Sequence, residues 1–223
     1  MPQIRILIFL CILAPHSASA TPISVAGFSF AAGEIAFADD VVHVSGPVLD
    51  PNTVRRVLVG SDISDSFNTG DSNPTVLEVI FLDNSIVNDP GIDLVIFELS
   101  GDKPAGSPDP KEIFDVSVFT GSGFSPFVTV TPIATGFNDP ADSTLDVFAV
   151  QLDLSSLGVP SGLAIDRIRL GVYNSNQGSK SADLTAVGAL HSGAPIPEPS
   201  TATLVGSGLL AILVARRRLR LTT

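Results

Sequence analysis

The segment Asn88-Asp89-Pro90-Gly91-Ile92-Asp93 crowds carboxylate and amide oxygens into one short stretch. Hard oxygen donors at that density suit a calcium ion, which takes about six to eight oxygens at about 2.3–2.6 Å. Asn88, Asp89 and Asp93 form the candidate set together with backbone carbonyls, and Asp183 is a candidate to complete it from a neighbouring strand. The same residues also read as a tight turn, with Asp89 bonding its own backbone. No EF-hand spacing or aspartate-glycine repeat supports the metal reading over the turn.

Other chemistry has fewer candidates. Past the first twenty residues the histidines are His43, inside a strand pattern, and His191, near the end of the domain, so a nucleophile-histidine arrangement lacks a base. No nucleophile elbow, paired-histidine motif or phosphate-cradling loop is present. Glu34, Glu78, Glu98 and Glu112 are the carboxylates a glycoside hydrolase could pair across a cleft. Each reads more simply as a strand residue, and the expectation is a protein that is not an enzyme. Sugar binding commonly uses flat aromatic faces, yet the chain has no tryptophan and a single tyrosine, Tyr173. Phe124 and Phe127, flanking Ser125-Pro126 after a Gly-Ser-Gly turn, are the aromatic residues whose loop position suggests contact with a ligand.

These residues must be positioned by strands. Short runs rich in Val, Ile, Phe and Thr recur between Gly, Pro, Asn and Asp clusters, and no twelve-residue helical period interrupts them. The pattern predicts an all-β fold, a two-sheet β-sandwich of jelly-roll type over residues 21–191. Strands are expected at 24–30, 34–38, 41–45, 54–59, 75–82, 93–99, 112–119, 127–133, 144–152, 165–173 and 183–190. The unbroken apolar runs Leu94 to Phe97 and Val79 to Leu82 predict strands buried on both faces.

The two ends are of another kind. Residues 1–20 carry one cation, Arg5, an eight-residue apolar core from Ile6 to Leu13, and the small-x-small ending Ala18-Ser19-Ala20, the form of a cleaved signal peptide. Cys11 lies inside that core rather than at a lipidation site, so the remaining chain has no cysteine and no disulfide chemistry. At the other end, residues 192–200 form a proline-rich linker containing Pro197-Glu198-Pro199. An apolar stretch at 201–215 follows, then Arg216, Arg217, Arg218 and Arg220. Fifteen residues of helix rise about 22 Å, a short single transmembrane span, and the arginines hold residues 216–223 in the cytoplasm. All 23 acids lie within residues 21–199, against seven of the 12 cations, giving −16 formally for that stretch and excluding nucleic acid as a partner.

Proline-glutamate-proline, a short apolar span and a basic terminus, in that order, resemble the PEP-CTERM sorting signal of Gram-negative bacteria that make extracellular polysaccharide. The resemblance implies processing by signal peptidase and by a membrane-embedded exosortase acting near Pro197-Glu198-Pro199. It implies inner-membrane anchoring before processing and an outer-surface or matrix location afterwards. Phe81 to Glu98 and Ser181 to Leu190 loosely resemble parts of galactose-binding-like β-sandwiches, the fold of many carbohydrate-binding modules. Three functions follow as expectations: a non-enzymatic surface or exopolysaccharide-matrix protein, a calcium-stabilised carbohydrate-binding module, and a secreted glycan hydrolase.

Overall fold

The structure, a computed structural model, describes residues 21–46, 50–67, 74–99, 112–174 and 180–193. The expected signal peptide, the linker from residue 194, the span at 201–215 and the basic end lie outside them. Among the described residues no helix is long and apolar enough to cross a membrane.

The described residues open with a hairpin, β1 (Ile23–Val25) and β2 (Phe28–Phe30). Its turn residues Ala26 and Gly27 both have positive φ, 44° and 86°, the sense that matches strand twist. A 3-10 turn at Gly33–Ala36, β3 (Asp40–Ser45) and helix α1 (Pro51–Leu58) follow. Next come β4 (Val76–Ile80), β5 (Ser85–Val87) and β6 (Leu94–Leu99). Then β7 (Phe114–Val118), β8 (Val128–Val130), β9 (Ile133–Asn138) and β10 (Asp146–Leu152) lead to a second 3-10 turn at Leu154–Leu157. The last strands are β11 (Ala164–Ile165), β12 (Arg167–Gly171), β13 (Tyr173–Asn174), β14 (Lys180–Ser181), β15 (Leu184–Ala189) and β16 (Ser192–Gly193).

Two antiparallel sheets dominate, one ordered β15-β6-β10-β9 and the other β3-β4-β12-β7-β8. Their facing sides share one apolar cluster, with Leu94, Ile96, Val150 and Val187 from the first sheet against Leu77, Val79, Ile168 and Leu170 from the second. This is a β-sandwich. A small sheet, β11-β5-β16, closes one end. The outer side of the four-stranded sheet is also covered: Phe30 and Phe37 lie with Val95, Phe97 and Ala149 in a second cluster, and the β1–β2 hairpin packs against it. Strand β6 is therefore buried at all six positions, as its unbroken apolar run predicts.

Four sequence expectations are corrected, among them the strand at 24–30, which is the β1–β2 hairpin, and the strand at 34–38, which is the 3-10 turn Gly33–Ala36. The run from Val79 to Leu82 is not buried on both faces: β4 ends at Ile80, its residues alternate in burial, and Leu82 is 57% exposed. The five-stranded sheet leaves its outer side partly open, so only the inward positions of β4 are enclosed. The expected strand at 54–59 is helix α1, started by Asp50, whose carboxylate accepts the Asn52 N–H at 3.1 Å and the Thr53 hydroxyl at 2.9 Å, with Pro51 at the first turn. Strand β16 pairs Ser192 with Ile86 and Gly193 with Ser85.

Candidate functional site

The outer side of the five-stranded sheet carries the arrangement best suited to a ligand. Strand register places its outward side chains in rows across the strands. One row runs Val42, Glu78, Arg169, Ser117. Arg169 donates through Nε at 3.1 Å and Nη2 at 3.0 Å to the same oxygen of Glu78, and its guanidinium stands 3.7 Å from the centre of the Phe124 ring. Phe124 also packs on Phe119 at 5.2 Å, and Arg167 lies 5.2 Å from the Phe119 ring. Arg167 holds its proton more firmly than usual, chiefly through its hydrogen bond to Asp166 and also through Glu78. The Ser117 hydroxyl donates to the Ser125 carbonyl at 2.6 Å, fastening the segment 120–127 over this part of the sheet.

The neighbouring row is Ser45, Val76, Gly171, Asp115, Thr129. It remains open. Gly171 follows Arg167 and Arg169 in the outward alternation and contributes no side chain, so the row sinks into a groove of about 460 Å³. Phe127, 46% exposed, together with Gly46, Pro74 and Thr75, completes its lining among the described residues. Gly46 takes φ 108°, and a Cβ there would stand 2.5 Å from the Pro74 carbonyl oxygen, so the chain passes closely along this lip. Asp115 accepts the Thr129 hydroxyl at 2.6 Å through Oδ1, while its Oδ2 lies on the Gly171 side. An exposed aromatic ring and a carboxylate thus meet along a trough with an open mouth.

The two candidate aromatic residues are therefore separated in role. Phe127 lines the groove, whereas Phe124 is half-buried with one face taken by Arg169. Sequence reasoning missed Asp115, Gly171 and Ser45. The alternation Arg167-x-Arg169-x-Gly171 announces a gap on an outward face, but only the strand pairing reveals what flanks it.

The oxygen-rich loop is engaged by groups of the protein itself. Asp93 is fully buried, and its Oδ1 accepts the Asp89 N–H at 2.9 Å and lies 2.9 Å from His191 Nδ1. Its Oδ2 accepts the Leu154 N–H at 2.9 Å. Asn88, also buried, donates through Nδ2 to the Val159 carbonyl at 2.6 Å and accepts the Ser155 hydroxyl at 3.1 Å. Asp89 itself is exposed. Asp183 is not brought to this loop: antiparallel pairing sets it beside Leu99, roughly 20 Å along β6 from Asp93. Among the described residues no group of three or more His, Cys, Asp or Glu side chains is placed to hold a metal ion.

A second carboxyl contact, absent from the sequence reading, joins Asp39 and Asp83. Asp39 Oδ2 accepts the backbone N–H groups of Leu82 at 2.6 Å and Asp83 at 3.2 Å. Burial first, and the nearby Asp39 charge second, hold the Asp83 carboxyl above the usual aspartate range. The four candidate glutamates are spread apart: Glu34 accepts the Ser61 hydroxyl, Glu78 holds Arg169, Glu98 is buried in β6, and Glu112 precedes β7.

Comparison with known proteins adds two findings. A fucose binding module of Streptococcus pneumoniae superposes with a TM-score of 0.36 at 14% sequence identity, over 70% of this chain and 96% of that one. No curated protein is significantly similar in sequence. Residues 195–218 match the PEP-CTERM protein-sorting motif, so the Pro-Glu-Pro segment and the basic cluster through Arg218 belong to a recognised sorting signal that implies export and surface sorting.

Proposed function

We propose that this chain is an exported, non-enzymatic protein that an exosortase processes at its tail, and that its β-sandwich acts at the cell surface or within an exopolysaccharide matrix. The sorting-motif match at residues 195–218, directly after a cysteine-free and acidic folded domain, carries the reading. In this reading signal peptidase removes residues 1–20, the stretch at 201–215 anchors the precursor in the inner membrane of a Gram-negative bacterium, and the arginines stay inside. The alternation of the chain between the two sheets we read as a jelly roll. Dispersed glutamates and the engagement of Glu78 by Arg169 support a non-catalytic role over a hydrolase.

A carbohydrate-binding module is the second reading, favoured by the groove beside Phe127. The protein partners of Asn88 and Asp93 support a module whose loop is held by hydrogen bonds rather than by calcium. Deleting Pro197 to Pro199 from the full chain in a host with the matching exosortase tests the main reading. An unprocessed, membrane-held form is expected on electrophoresis and fractionation, and a product of unchanged size and location overturns it.

A further inference from the structure

We infer that the side of the sandwich formed by β8 and β9 is a self-association surface, onto which a second copy of this chain docks through the same wall. The edge strands of the two main sheets sort into two sides. On one side, helix α1 packs on both β3 and β15 and closes the gap between the sheets. On the other, β8 and β9 follow one another with only Thr131 and Pro132 between them, and no described α-helix covers them. Burial reflects the difference. Val128 stands opposite buried Val116, on the inward side of its sheet, yet is 43% exposed. Ala134 stands opposite buried Phe148 and is exposed as well. Ile133, 59% exposed, and Phe137 carry apolar surface onward from this open margin of the core.

Charge selects the occupant. Residues 116–138 contain no Asp, Glu, Lys, Arg or His, the longest such run within residues 21–199, a stretch whose formal charge is −16. Two copies repel wherever their acidic surfaces face, and this wall lets them meet without setting carboxylates against one another. A basic partner, by contrast, gains nothing here and is drawn to the acidic surfaces instead. Twofold symmetry turns one patch onto its own image, so Ile133 and Phe137 of each copy meet those of the other. The contact is made by side chains rather than by a continued ladder: the pairing of β9 is broken at Thr135 and Gly136, where Gly136 takes φ 80°, and such a bulge turns an edge away from further strands. Strand β9 runs about 20 Å and the sheets stand about 10 Å apart, a wall smaller than the roughly 800 Å² per partner of a standard interface, so pairing belongs to the weak, concentration-dependent class.

The wall lies within the folded domain, so this inference and the tail reading fail independently. The full chain in detergent is taken through sedimentation equilibrium from about 1 to 300 µM, a range that spans weak pairing. A reversible monomer–dimer equilibrium is expected, and it should tighten between about 0.05 and 0.5 M salt as the acidic repulsion is screened. Ile133→Lys should weaken it at least tenfold with an unchanged melting temperature, and Ile133→Thr, which keeps a β-branched side chain, about threefold. Leu82→Lys, at an equally exposed apolar residue away from the wall, should leave it unchanged. A chain that stays monomeric throughout overturns the proposal and leaves the wall to a different partner. A dimer that both Ile133 variants form with native affinity, or one that salt dissociates, overturns it too, the first by placing the contact in the apolar tail or elsewhere and the second by making it ionic.

Discussion

Asp83 shows how one carboxyl can work against the fold that holds it. Its pKa lies above the unfolded value because burial and the adjacent Asp39 charge disfavour ionisation. The stability it contributes is therefore complete below the unfolded pKa and is lost as pH rises through the folded one. Asp83→Asn should melt at a higher temperature than the native protein at pH 7, and the difference should close towards pH 3. Equal melting temperatures at both pH values would remove Asp39–Asp83 repulsion from the account. Asp93 illustrates what a sequence withholds at this scale. The acceptor-rich loop was legible in Asn88 to Asp93, but its donors come from Leu154 and His191, 61 and 98 residues away. Composition names an acceptor, and only the folded path says whether a metal or an N–H meets it.

Among the elements, strand type followed wherever burial was two-sided or cleanly alternating. Strand β6 was legible because Leu94 to Phe97 leave no polar position, and the alternation of Arg167, Ile168, Arg169 and Leu170 matches the two faces of β12. Helix α1 was hidden by Val54, Val57 and Leu58, β-compatible residues in a short segment, although Asp50-Pro51 is a helix-start signal. The expected first strand is a hairpin because Ala26-Gly27 reverses it. That hairpin and the following 3-10 turn press Phe30 and Phe37 onto β15, where a Cβ on Gly188 would lie 2.6 Å from Phe30 Cε1 and 3.0 Å from Phe37 Cε1. Gly188→Ala should destabilise the domain by about 1–3 kcal/mol in denaturant unfolding, and adding Phe30→Leu should recover part of the loss. If Gly188→Ala unfolds at the native denaturant concentration, the hairpin does not pack there as described.

For the molecule as a whole, the all-β class and the sorting tail were legible, whereas the groove was not, because it joins positions 45, 76, 115 and 171 through pairing alone. Both apolar clusters lie between Ile23 and Leu190, yet the short strand beyond them contributes more than its two residues suggest. A chain of residues 21–193 should unfold in one transition. Ending it at residue 190 removes β16 and leaves Asp93 without His191, which should cost about 1–3 kcal/mol. Equal unfolding midpoints for the two lengths would show that the end of the domain is ornamental.

Pairing of Gly193 with Ser85 also sets a leash. Three residues separate Gly193 from Pro197, and the four backbone steps across them reach at most about 14 Å when fully extended. A domain of this length has a radius of gyration of about 15 Å. A peptidase that cut at Pro197 to Pro199 would work within that reach of the rim around β5 and β16. Lengthening the leash by a few residues would relax that constraint without altering a single residue of the sorting signal.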